Sequence, residues 1–254
     1  MPVTPATTEM DHISRCYDFI DDLGPEDTIV FDVMNGFGWF LTTLPASTAI
    51  LNHAIEQDVN IIFVSEYEDG PLTWKYLIMP AIKESLAKMN YIYGEDWVEV
   101  GYIPGGESAD AAFAADLHHW SNDMRGNLLS DLPMMDDLQT AADLSLWIGN
   151  GWQEIWIIRQ VYEVYGTPII MTAGSWILGR GPVYVSAGQM VSFINGWDGA
   201  AVYEYMRNDP GLATQGSIII SSGYVYIIII IILANVSYIY TRSRGKTLKR
   251  MDKT

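Results

Sequence analysis

The sequence predicts an α/β fold: a doubly wound, Rossmann-like domain with a mainly parallel five-stranded sheet, followed by one C-terminal transmembrane helix. Three observations carry that reading. Between Thr28 and Met206, short apolar runs alternate with amphipathic stretches, the pattern of strands covered on both faces and joined by helices. No charged residue lies between Pro210 and Thr241, and that stretch contains six consecutive isoleucines, Ile227 to Ile232. Six basic residues follow it, from Arg242 to Lys253.

Residues 11–23 read as a short leading helix. Thr28–Met34 (TIVFDVM) is the first strand, since so apolar a run needs cover on both sides. A helix is expected over 45–58 and a second strand over 60–66 (NIIFVSE). Residues 71–90 form the next helix. Pro71 suits its first turn, where the missing N–H costs nothing, and Pro80 forces a kink or a break. Trp97–Tyr102 is the third strand, followed by a helix over 107–124 and a loop over 125–140 carrying Gly126 and Pro133. A fourth strand falls at 143–148, a helix at 152–165, a fifth strand at 168–172 and a final helix at 187–206. Right-handed crossovers then place helices on both faces of the sheet, here expected in the order 3-2-1-4-5.

Three segments follow: an α/β domain over 1–210, a membrane helix over 216–240 and a basic tail over 241–254. The 23 residues 218–240 rise about 35 Å as a helix, enough to cross a hydrocarbon core of about 30 Å. Tyr238 and Tyr240 suit the interfacial belt before the tail. Residues 1–240 hold 8 Lys/Arg against 30 Asp/Glu, a balance of −22, whereas 241–254 carry +5. The basic flank predicts a single-pass protein of the cell membrane with a cytoplasmic tail and an external domain. Residues 1–16 contain no apolar signal-peptide core, which leaves two readings, an anchor upstream of this chain or a tail-anchored, cytosolic domain.

Composition excludes several classes. One cysteine leaves no disulfide framework, and with four histidines it leaves no ordinary Cys/His zinc site. Cys16, in the leading helix, has no histidine partner in view and offers itself as a thiol reporter of sidedness. The acidic balance argues against nucleic acid, which needs a basic face. No cofactor is expected: Gly36-Phe37-Gly38 is followed by Leu41 where a dinucleotide fingerprint needs glycine, and there is no Walker-type loop or G-x-S-x-G elbow.

Ligands in such folds bind at the carboxyl ends of the strands, where the strand order reverses. The loops there supply a crevice of Asp32, Asn35, Gly36, Glu66, Gly105, Gly106, Glu107, Ser108, Asn150, Thr172 and Ser175. Glycines and cap residues serve β-to-α turns whatever their function, so the same list also reads as turn chemistry. No metal site is predicted. Asp32, Glu66, Glu68 and Asp69 are weak candidates for oxygen ligands to Mg²⁺ or Ca²⁺, and an acidic surface produces such groups by chance. His118 and His119, adjacent on a helix, point about 100° apart and do not chelate together. His53 reads as packed or solvated. Trp147 reads as core, and Trp152 and Trp156 as one helix face.

Tyr93-Gly94-Glu95-Asp96, Asn127 to Met134 and the Gly188-Gln189-Met190…Gly199-Ala200-Ala201-Val202-Tyr203-Glu204 segment occur together ahead of the apolar span. In this the chain resembles an uncharacterised family of membrane-anchored α/β proteins of bacteria and archaea. The resemblance implies a similar fold and a C-terminal membrane helix, with no established activity. The expected function is a non-enzymatic, membrane-anchored binding or assembly module. Its expected partners are the bilayer, through 216–240, and a second copy or another membrane protein. The alternative is a metal-assisted hydrolase using Asp32 and Glu66 in the strand-end crevice.

Overall fold

The computed structural model describes residues 7–251, with side chains described over 10–242. It divides into two compact units, 1–214 and 215–254. In chain order the first unit holds α1 (Thr7–Asp21), β1 (Thr28–Met34), α2 (Phe37–Glu56), β2 (Asn60–Ser65) and α3 (Gly70–Thr73). A π-turn (Trp74–Ile78) then leads into α4 (Met79–Met89), β3 (Trp97–Tyr102) and α5 (Glu107–Ala115). Next come β4 (Leu146–Gly151), α6 (Glu154–Ile157), a second π-turn (Ile158–Tyr162) and α7 (Glu163–Tyr165). The unit closes with β5 (Ile169–Ala173), α8 (Gly181–Ser186), β6 (Ser192–Asn195) and α9 (Gly196–Met206).

The strands form one parallel sheet in the order β3-β2-β1-β4-β5-β6. The expected order is present, with a sixth strand added at the edge. Residues 187–206 are therefore not one helix. Gly188 turns the chain at φ +73°, and Ser192–Asn195 pairs with β5 before α9 begins. Two other helices differ from expectation. α2 starts at Phe37, not 45, and holds Pro45 in its interior. Pro45 has no N–H to give the Leu41 carbonyl one turn earlier, and Leu41 is an exposed residue. α5 ends at Ala115, because Leu117 turns into the core and Asp116 Oδ1 accepts from His118 N–H at 2.9 Å. His118 and His119 thus lie in a turn. The break forced by Pro80 takes the form of the preceding π-turn, in which Met79 N–H reaches back to the Trp74 carbonyl.

Alternation along the strands separates two cores. On one face Ile29, Phe31 and Val33 pack with Ile13 and Ile20 of α1, Phe40 and Ile50 of α2, and Tyr203 of α9. On the other, Val30, Met34, Ile62, Val64 and Trp147 pack with Phe113 of α5 and Ile157 and Val161 around the second π-turn. Gly149 of β4 lets that layer approach: a Cβ there would sit 2.7 Å from Ile157 Cδ1 and 2.6 Å from Met171 Sδ. Small residues play the same part in α9, where a Cβ on Gly199 would meet Ile13 of α1 at 3.2 Å.

α10 (Leu212–Met251) continues from the first unit through the second. Leu212–Arg242, 31 residues of mean hydropathy 2.5, is long and apolar enough to span a membrane, and it is the one such helix among the described residues. Residues 241–251 of the expected tail continue the helix, while 1–6 and 252–254 lie outside the described residues.

Candidate functional site

The strand order reverses at β1, between β2 and β4, so the loops after β1 and β4 flank the place where such sheets take ligands. The sheet itself divides the predicted crevice. Asp32 shares a face with Val30 and Met34 and points toward α5. Asn35 and Asn150 point toward α2. The predicted residues therefore belong to two clusters on opposite sides of the sheet.

On the α5 side, Asp32 meets Glu66, at the end of β2, and Asp110 of α5. One oxygen from each lies within 4.8 Å of the others. Their exposures are 0%, 8% and 0%. Trp147 Nε1 donates to Asp32 Oδ2 at 3.3 Å. No amide or hydroxyl group donates to the other five carboxylate oxygens, and none of the ion pairs among the described residues involves the three. Burial raises all three pKa values, and repulsion among the carboxylates adds to it for Asp32 and Glu66. Glu66 and Asp110 lie close enough to share a proton, which the raised values favour.

On the α2 side the polar groups are paired, Asn35 Oδ1 excepted. Asn35 Nδ2 donates to Asn150 Oδ1 at 2.7 Å and to its carbonyl at 3.0 Å. Asn150 Nδ2 donates to Ser47 Oγ at 2.6 Å and Thr172 Oγ1 at 2.8 Å, and Thr43 Oγ1 reaches Asn150 Oδ1 at 3.2 Å. This buried network joins β1, β4 and β5 to α2, so Asn35, Asn150 and Thr172 act as struts of the core.

The remaining candidates separate. Gly36 precedes α2, whose first N–H, on Phe37, donates to Asp69 Oδ2 at 2.8 Å; Asp69 is thereby a helix cap across the loops. Glu68 is exposed and apart from the three buried acids. Gly105 and Gly106 turn the chain into α5. Glu107 there pairs with Arg159 Nη2 at 2.6 Å and Gln160 Nε2 at 3.0 Å, contacts that draw its carboxyl below the usual range. Ser108 and Ser175 are exposed. The rim above both clusters is aromatic. Trp39 (58% exposed) and Trp152 (46%) lie ring to ring, centroids 5.9 Å apart, and Trp152 Nε1 and Gln153 Nε2 donate to Tyr67 Oη at 3.2 and 3.0 Å.

His53 is packed, not solvated: Nδ1 lies 2.8 Å from Tyr203 Oη and Nε2 3.3 Å from Asp21. Cys16 is fully buried and its thiol is pushed up to about 12 by burial, so it is no reporter of sidedness.

Asp110 is the functional candidate that sequence reasoning missed. Its signal was present: it sits three and four residues before Phe113 and Ala114, on the apolar face of α5, where a lone carboxylate needs a reason. No family model matches the chain, and no curated protein or solved structure matches it.

Proposed function

We propose that this chain is a membrane-anchored binding module that docks a protein partner on the rim formed by Phe37, Trp39, Leu41, Trp152 and Ile155. One observation carries the reading: Trp39 and Trp152 lie ring to ring and exposed after β1 and β4, and Phe37, Leu41 and Ile155 of the same two segments are exposed as well. The polar groups on the α2 side, Asn35, Asn150 and Thr172, are committed to the core network. The −22 balance of residues 1–240 selects a partner whose apolar patch is framed by Lys and Arg. Aromatic anchors carry most of the energy in such interfaces, so replacing both Trp39 and Trp152 by alanine weakens the complex by about 30-fold or more. The full-length chain, purified in mild detergent from its native membranes, is expected to lose its co-purifying partner on this double substitution while its melting temperature holds. An unchanged complex, or a chain monomeric with either sequence, contradicts the reading.

The module is anchored in the cell membrane by 216–240. The positive-inside rule sets the basic tail in the cytoplasm and the α/β domain outside. Glu68→Cys places a thiol on an exposed turn. Its labelling by an impermeant maleimide in intact cells is the expected outcome, and labelling only after lysis reverses the orientation. The metal-assisted hydrolase is the second reading, favoured by the position of Asp32 and Glu66 at adjacent strand ends. Substrate must then reach a fully buried Asp32, and cation-dependent turnover of a simple phosphoester by the purified chain is the result that would restore it.

A further inference from the structure

The structure assigns to Asp32, Glu66 and Asp110 a role that the docking rim does not use. We propose that they form a resident site for one divalent, oxygen-preferring cation, with Ca²⁺ as the ion that fits. The carboxylates come from three separate elements, β1, the end of β2 and α5, and converge on one enclosed point.

The molecule supplies its own standard for what a structural carboxylate looks like. Asp123 accepts from Tyr93 Oη at 2.6 Å, from the backbone N–H groups of Arg125 and Asn127, and from Asn127 Nδ2. Glu204, buried ahead of α10, accepts from the N–H groups of Gly211, Ala213 and Thr214 and from Thr214 Oγ1, all at 2.6–2.8 Å. Each of these side chains is saturated with donors. The three converging acids receive one donor from the rest of the protein, Trp147 Nε1, and their other five oxygens accept from no amide, hydroxyl or cationic group. Buried acceptors without donors are rare in folded chains, and three aimed at one point mark a place built for a missing positive charge.

The donor set selects the ion. All ligands are carboxylate oxygens, with no nitrogen or sulfur in the group, which suits Ca²⁺, Mg²⁺ or Mn²⁺ rather than zinc or copper. Two ligands on one ion are separated by at most twice the metal–oxygen distance, about 4.2 Å for Mg²⁺ and about 4.6–5.2 Å for Ca²⁺. Separations within 4.8 Å bring the three oxygens around one ion, and Ca²⁺, with the longer metal–oxygen distance, asks the least contraction of the side chains. Three carboxylates offer up to six oxygens, so the enclosed site completes a coordination shell with little water. Trp147 orients Asp32 as an outer-shell donor. The nearby Glu107 charge is held by Arg159 and does not compete for the ion.

The test uses the full-length chain in detergent, stripped with EDTA and titrated calorimetrically with CaCl₂, MgCl₂ and MnCl₂. One Ca²⁺ per chain is expected, bound more tightly than Mg²⁺. Asp110→Asn weakens Ca²⁺ by about 100-fold, the upper end of what a lost metal contact costs. Glu68→Gln, on the exposed turn, leaves it unchanged. As a second measurement on the unaltered chain, Tb³⁺ emission sensitised by Trp147 is expected to appear and to be displaced by Ca²⁺. Absence of a one-to-one site, absence of sensitised emission, or wild-type affinity in Asp110→Asn overturns the proposal. None of these readouts depends on the docking rim, whose failure shows only in the partner assay.

Discussion

The two polar clusters at the carboxyl end of the sheet are separated by the thickness of one strand layer, yet they are built in opposite ways. Toward α2, Asn35, Asn150, Thr43, Ser47 and Thr172 match donors to acceptors across four elements, and Asn35 Oδ1 is the one side-chain oxygen of the five residues without a donor. Toward α5, Asp32, Glu66 and Asp110 confront acceptors with acceptors. In the first cluster, polar side chains specify how β1, β4 and β5 seat on α2. In the second, they hold a charge imbalance that stability alone gives no reason to keep. Polarity at a strand end is therefore no guide to function until partners are counted.

That contrast makes the same kind of isosteric change act with opposite sign on the two faces. Asn150→Asp removes the donor to Ser47 and Thr172 and buries an unpaired charge, a loss of about 4 kcal/mol in denaturant unfolding. Asp110→Asn, in EDTA, replaces one of three confronted carboxyls by a neutral amide and adds a donor, a gain of about 2 kcal/mol. A loss from Asp110→Asn would place the three acids among ordinary core struts.

The pH dependence sharpens the second figure. The three carboxyls have raised folded pKa values, so between the ordinary carboxylate range and those raised values the folded state holds more protons than the unfolded one. Their contribution is fully present below the unfolded values and is lost as pH rises. The stability difference between Asp110→Asn and wild type, in EDTA, is therefore expected to widen from pH 4 to pH 8. Asp123 has the opposite sign: its depressed pKa contributes above the unfolded value and is lost on acidification, and it cancels in that difference. The smallest effect belongs to Asp69→Ala, which removes the cap on Phe37 N–H at about 1 kcal/mol and leaves Ca²⁺ affinity unchanged.

Much of the fold was legible. β1 and β3 are found at the expected residues, because Thr28–Met34 and Trp97–Tyr102 are compact apolar runs bounded by polar ones. β6 was not, because the strand is only four residues, Ser192–Asn195, and runs straight into the helix that begins at Gly196. The site was half legible. Asp32 and Glu66 stood out as charges at strand ends, but strands buried on both faces carry no polar side to show which way a residue points. Asn35, Asn150 and Thr172 were grouped with the acids for that reason. Asp110 required reading one helix for the charge on its apolar face.

The most direct measurement is a set of thermal unfolding curves for wild type, Asp110→Asn and Asn150→Asp, each in EDTA and in saturating Ca²⁺. Ligand at 100-fold over its Kd adds about 2.7 kcal/mol, or roughly 5–10 °C for a domain of this size. In EDTA the expected order is Asp110→Asn above wild type above Asn150→Asp, and Ca²⁺ raises wild type and Asn150→Asp but not Asp110→Asn. Asp110→Asn melting below wild type in EDTA, or rising with Ca²⁺ as far as wild type does, would contradict a cation site at Asp32, Glu66 and Asp110.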